Sequence, residues 1–300
     1  MKRGCVIGYD INEKGCQISY YDDSMEEPDT MMASSNNYLI PLVLGYFKDR
    51  WVFGKEAKRL AVVGEDCTET DLYGKAKRRE KVSLAGKTYD AVWLLAKYIS
   101  LTLQDFENIQ YLTFTTPETD VDMAKMLKGI GQHIGVDKEI INVQDYKESF
   151  CQYMIFQPKE LWQYESALFY CDEDRIKAYM LRRLRVDASH GMNSFVTVDE
   201  VANAQRKELE ALYPIMNKEK SPDESFKSMI ENVFEKKVIS SVYLTGEGFE
   251  KNWYPNSLRV LCNGRRAFMG NNLYSKGACY KSIRKCEPND DGPIYLDETK

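Results

Sequence analysis

Apolar residues in this chain recur at two spacings, every second position in some stretches and every third or fourth in others, and their succession predicts a mixed α/β protein. Cys5-Val6-Ile7-Gly8-Tyr9-Asp10 reads as a strand, Asn12 to Gly15 as a turn, and Cys16 to Tyr21 as the returning strand of a hairpin. The polar, acidic stretch from Asp22 to Ser35 predicts an exposed connection. Tyr38 to Phe47 and Arg50 to Phe53 predict a further hairpin turned at Lys48-Asp49, with a short helix from Gly54 to Val63. Between Tyr89 and Gln104, Val92, Leu95, Ala96, Ile99 and Leu103 fall at helical spacing. A strand over Tyr111 to Thr115 follows. Pro117 then opens a helix with Val121, Ala124, Leu127, the Lys128 stem and Ile134 on its inner face, stopped by Gly135. Ile140 to Val143 predicts another strand.

The second half repeats the opening. Ala167 to Cys171 and Ile176 to Leu184 predict a hairpin around Asp172-Glu173-Asp174-Arg175. Asp199 to Leu212 and Glu224 to Phe234 predict helices, and Ser241 to Thr245 a buried strand that ends in Gly246-Glu247-Gly248. Pro293 to Asp297 reads as a strand begun and then cut, which suggests a longer native chain. Three hundred residues exceed the usual size of one domain. The expected division is residues 1–165, with a small insertion around 25–88, and residues 166–300, with a helical insertion around 187–238.

Composition narrows the function classes. A net charge of -5 gives no basic surface for nucleic acid, and the local runs Lys75 to Arg79 and Arg182 to Arg185 read as solvated faces. No stretch approaches the ~18 consecutive apolar residues that span a bilayer. Asp10 interrupts any signal-like apolar core, so the expectation is a cytoplasmic protein without membrane insertion. The eight cysteines are scattered and form no C-x-x-C pair, which fits small buried hydrophobes in a reducing compartment. With only His133 and His190 available, a His/Cys metal site or a histidine triad is not expected.

Several segments carry a family resemblance through their order. They are Val6 to Asp10 with Gln17 to Tyr20, Ile40-Pro41, Phe53 to Arg59, Leu112 to Val136, Gln157-Pro158, Leu168 to Asp174, Val242 to Gly248, and Gly277-Ala278-Cys279-Tyr280. In that order, over nearly the whole length, the chain resembles the actin and seventy-kilodalton heat-shock chaperone ATPase superfamily, in a little-characterised bacterial branch. No single motif is specific; the ordered succession carries the likeness. The resemblance implies a two-lobed actin-like ATPase fold of duplicated ribonuclease H-like domains, holding ATP or ADP with Mg²⁺ between the lobes.

Site roles follow from the resemblance. Asp10 would organise the magnesium ion and its water shell and serve catalysis, or else is a plain turn aspartate. Gln157 would orient the attacking water, or else is an ordinary loop residue before Pro158. Asn12, Lys14 and Gly15 would face phosphate. Asp172 and Asp174 would join the magnesium shell, Asp172 as a ligand, or form a solvent-exposed acidic turn. Gly246, Glu247 and Gly248 would lie beside the adenosine, and Arg206 with Lys207 would flank the base.

The departures matter as much. The first turn reads Ile11-Asn12-Glu13-Lys14 where relatives have small or hydroxyl residues, and the second reads Asp172-Glu173-Asp174 in place of Asp-x-Gly. A carboxylate beside a triphosphate is repulsive without an intervening cation, and the bulkier residues obstruct the close backbone approach that glycine permits. Two functions therefore stand: a protein that binds Mg-ATP between two lobes with slow or no hydrolysis, which would change the lobe angle and any partner contact, and a pseudo-ATPase interaction or assembly module. A sugar or acetate kinase on the same fold lacks an evident acid–base residue.

Overall fold

The computed structural model describes residues 4–35, 37–63, 67–184, 194–205, 222–287 and 292–297. The chain divides into two compact units, Met1–Ser149 with Tyr274–Asp290, and Phe150–Leu273 with Asp291–Lys300.

In the first unit, β1 (Cys5–Ile11) and β2 (Gly15–Tyr21) form the opening hairpin, and β3 (Asp29–Thr30) and β4 (Ile40–Pro41) both pair with β2. A separate small sheet contains β5 (Leu44–Phe47), β6 (Arg50–Phe53) and, after α1 (Gly54–Val63), β7 (Thr68–Glu69). Lys48 and Asp49 make its turn with φ of 49° and 59°, the twist a two-residue hairpin needs. Then come α2 (Leu72–Lys77), the hairpin β8 (Lys81–Leu84) and β9 (Lys87–Asp90), α3 (Ala91–Thr102), β10 (Ile109–Thr116), α4 (Val121–His133), β11 (Ile141–Asp145) and α5 (Tyr146–Ile155).

The main sheet runs β11-β10-β1-β2-β3, with β1, β10 and β11 parallel and β2 antiparallel to β1. The strand period sends Ile7, Tyr9 and Ile11 to one face, where they join Ile18 and Phe114 in a core with Leu94, Leu95, Ile99 and Leu127 of α3 and α4. The opposite face carries a row of small residues, Ser19, Gly8 and Thr113, neighbours in the ladder. A helix from much later in the chain, Leu273–Cys286, lies directly on that row. A Cβ on Gly8 would run into the backbone of Ser275 and Cys279, so only glycine fits there. The Ser19 and Ser275 hydroxyls share a hydrogen bond of 2.8 Å, as do those of Thr113 and Ser282, and Ser282 donates to the Ile7 carbonyl at 3.0 Å.

The second unit contains β12 (Glu165–Cys171), β13 (Arg175–Leu184), β14 (Phe195–Gln205), α6 (Pro222–Phe234), β15 (Ile239–Thr245), α7 (Pro255–Leu261) and β16 (Arg266–Met269). The chain then continues through the helix Leu273–Cys286, now α8, to β17 (Ile294–Tyr295). Its sheet runs β16-β15-β12-β13-β14-β17, with β12, β15 and β16 parallel and β13 antiparallel to both hairpin neighbours. This is the plan of the first unit again: a central hairpin strand, its antiparallel partners on one side, two parallel strands on the other. Phe169, Ala178, Val242 and Leu244 pack against Phe226, Ile230 and Leu261 to form its core.

The structure differs from the sequence reading in several places. The expected exposed connection from Asp22 to Ser35 contains β3, paired with β2 and with Thr30 buried. Asp199 to Gln205 belongs to strand β14, not to a helix; residues 206–212 of that expected helix lie outside the described residues. The β-branched run Val196-Thr197-Val198 starts a two-residue alternation, and ten ladder positions against β13 fix it. In α4 the buried face is Met123, Met126, Leu127 and Ile130, while Val121 and Lys128 are exposed; the Asp120 carboxylate, accepting from the Met123 amide, sets the start. The division by packing falls at Ser149/Phe150 and assigns Tyr274–Asp290 to the first unit, where the sequence reading drew one break near residue 165.

Candidate functional site

In an open α/β sheet, ligands collect outside the carboxyl ends of the parallel strands, where successive connections leave in opposite directions. In the first unit that point lies between β1 and β10, and β1 delivers Asp10 to it, beside Thr115. Asp10 is only 4% exposed. Its Oδ1 accepts a hydrogen bond of 2.8 Å from the Tyr146 hydroxyl, which in turn accepts one of 3.0 Å from Asn12 Nδ2. Tyr146 stacks on Tyr274 with ring centroids 3.7 Å apart. Burial raises the Asp10 carboxyl to about 7, and the Tyr146 hydrogen bond offsets part of that rise. Burial and the neighbouring Asp10 together hold the Tyr146 hydroxyl well above its ordinary range.

The turn itself is closed by Asn12. Its side-chain oxygen accepts from the amides of Lys14 at 2.9 Å and Gly15 at 3.3 Å, and its own amide donates to the Gly15 carbonyl at 3.0 Å. Behind the strand ends, Thr115 and Ser149 share a hydrogen bond of 2.7 Å, and Gln144 Nε2 donates to Ser149 at 2.7 Å. Gln144 Oε1 is buried without a partner among the described residues. Sequence reading missed Tyr146, Gln144 and Ser149. The one available signal was Gln144, a polar residue on a strand whose alternation turns it inward.

The second unit repeats the turn. Asp172 Oδ1 accepts from the amides of Asp174 and Arg175, both at 2.8 Å, and the Asp172 amide donates to the Arg175 carbonyl at 3.1 Å. Asp172 thus stands where Asn12 stands. The ladder gives the place of Asp10 to Tyr170, since Asp10 faces Gln17 and Tyr170 faces Lys177, each two positions before its turn. Asp174 is exposed. Gly246, with φ of 93°, and Gly248 press against Cys171: a Cβ on either would enter its backbone or its sulfur. Glu247 begins a short 3-10 turn, Glu247–Phe249. Asp172, Asp174, Gly246, Glu247 and Gly248 are therefore gathered at the carboxyl end of one sheet, as Asp10, Asn12, Lys14 and Gly15 are in the first unit.

Two further residues fall elsewhere. Gln157 follows α5; its Nε2 donates to the Tyr153 carbonyl at 3.3 Å and its carbonyl accepts from Trp162 Nε1 at 3.1 Å, so it ends that helix and seats the indole. Arg206, with Lys207, lies outside the described residues.

A magnesium ion wants several oxygens presented to it at once. Asp10 gives one oxygen to Tyr146, Asp172 gives one to two backbone amides, and among the described residues no three His, Cys, Asp or Glu side chains converge. The arrangement fits the ion poorly. No disulfide joins any of the eight cysteines, and no helix among the described residues is long and apolar enough to cross a membrane.

Comparison with curated proteins finds no match. The model of the C-terminal part of a family of unknown function, DUF5716, matches residues 27–298, which take in every element after the opening hairpin, and the chain belongs to that family.

Proposed function

We propose that the chain has the actin and heat-shock chaperone architecture of two ribonuclease H-like units, and that it acts in the cytoplasm as a pseudo-ATPase, an interaction or assembly module for a protein partner. The doubled strand order supports the architecture. One observation carries the loss of turnover: both hairpin turns satisfy themselves. A phosphate-binding turn offers free backbone amides to its anion. Here the amides of Lys14, Gly15, Asp174 and Arg175 are bound to the side-chain oxygens of Asn12 and Asp172. Asp10, buried and half neutral near pH 7, presents little charge to a cation.

The test is a titration with millimolar Mg-ATP, Mg-ADP and Mg-GTP, followed by melting and by calorimetry. A ligand at ~100 times its Kd adds ~2.7 kcal/mol to stability, a rise of several degrees. No rise is expected. A second reading, nucleotide binding with slow or no hydrolysis, is favoured by the position of Asp10 and of Gly246 to Gly248 at the carboxyl ends of parallel strands. Under it the melting rise appears and is lost in Asp10→Ala.

A further inference from the structure

We infer that the groove between α3 and α4 in the first unit docks a short acidic peptide segment of a protein partner, with one bulky apolar side chain seated over Gly129. The groove is a cavity of about 390 Å³, floored by Trp93, Met126, Gly129 and Ile130 and rimmed by Arg79, Lys125 and His133.

The glycine argues first. α4 contains two interior glycines, and each costs the helix about 1 kcal/mol relative to alanine. Gly131 has a packing reason, because a Cβ there would come within 2.6 Å of Ile141 Cδ1. Gly129 has none: nothing lies within 4 Å of the place its Cβ would take. Its missing side chain serves the open groove.

The aromatic wall argues second. Trp93 is 39% exposed, yet its ring is already ordered, stacked on Tyr89 at 5.5 Å and set against Trp51 at 5.8 Å. A pre-ordered exposed indole makes a strong anchor, since little side-chain freedom is lost when a partner covers it.

Charge selects the partner. Arg79 and Lys125 form no ion pair with a described residue and outnumber the carboxylates of the lining, so the rim carries a net positive charge on a chain of net charge -5. The one carboxylate in the lining, Asp90, is engaged at the start of α3 by the amides of Val92 and Trp93. From Lys125 to His133 the helix rises about 12 Å at ~1.5 Å per residue, the reach of about four extended residues. A footprint of that size gives affinities in the micromolar range or weaker.

This inference rests on the interaction-module reading only in naming a peptide as the ligand. Selection of a displayed library of random peptides on the full chain is expected to enrich net-acidic peptides that carry one leucine or aromatic residue. A fluorescein-labelled copy of the most enriched peptide should bind, and bind more weakly as salt rises. Gly129→Leu fills the groove while favouring the helix, so it should keep or raise the melting temperature and weaken the peptide by about tenfold or more. Lys125→Glu with His133→Glu should weaken it comparably. Failure to enrich, enrichment of neutral or basic peptides, or unchanged binding to Gly129→Leu overturns the inference. So does tighter binding of a single-stranded oligonucleotide, or a dimer in light scattering that Gly129→Leu abolishes. Nucleotide titration reads the hairpin turns, so the groove can fail while the pseudo-ATPase reading stands.

Discussion

Asp10 is held as a weak acid inside the first unit, raised from its ordinary 3.8 to about 7 chiefly by burial. Between those two values the folded chain keeps a proton that the unfolded chain has released. The stabilising contribution is therefore full below pH ~4 and is lost as pH rises through about 7. Asp10→Asn keeps the shape and removes the titration. Its melting temperature relative to wild type is expected to be several degrees more favourable at pH 8 than at pH 5; an equal difference at both would show that Asp10 is not held neutral. Tyr146→Phe takes away the donor and should cost about 1–2 kcal/mol in urea denaturation. Asp10 and Asn12 were legible in the sequence because a strand end and a turn have local signatures. Tyr146 was not, since its partner is 136 residues away and a tyrosine at a helix start breaks no pattern.

Among elements, the contrast between glycines is the sharpest experiment. Gly8→Ala drives a methyl group into the backbone of α8 and should lose more than about 3 kcal/mol or fail to fold. Gly129→Ala meets nothing and should gain about 0.5–1 kcal/mol. Midpoints of urea denaturation report both, and a loss at Gly129 would mean that the groove is already filled. Most elements could be read from the spacing of apolar residues, down to the turn at Lys48-Asp49. The exception is instructive. The apolar residues of β14 thin out into Ala202, Asn203 and Ala204, small and polar enough to suit a helix, and only pairing with β13 holds them extended.

At the scale of the whole molecule, the repeat was visible as two hairpins and invisible as sequence identity. The ladder shows why: equivalent places hold Asp10 and Tyr170, Asn12 and Asp172, Gly15 and Arg175. Burial and turn geometry preserve a pattern of places, and chemistry at those places is free to drift. The return of α8 to the first unit could not be read either, because the small residues Ser275, Ala278, Cys279 and Ser282 that face the sheet look unremarkable in sequence. A chain ended after Leu273 lacks that cover. It is expected to show helical far-UV dichroism without sharp near-UV bands, and an added peptide of residues 274–286 should restore them in part.

That return also sets an order of manufacture. Ser19 leaves the ribosome 256 residues ahead of Ser275, its hydroxyl partner. The last strand of that sheet, β11, ends at Asp145, about 130 residues ahead of Ser275, so at ~5–20 residues per second the nascent chain spends about 7–26 s with the sheet made and one side of it uncovered. A sheet translated early is covered late, and a cell making the protein must shelter it half-dressed while the strands from β12 to β16 are built.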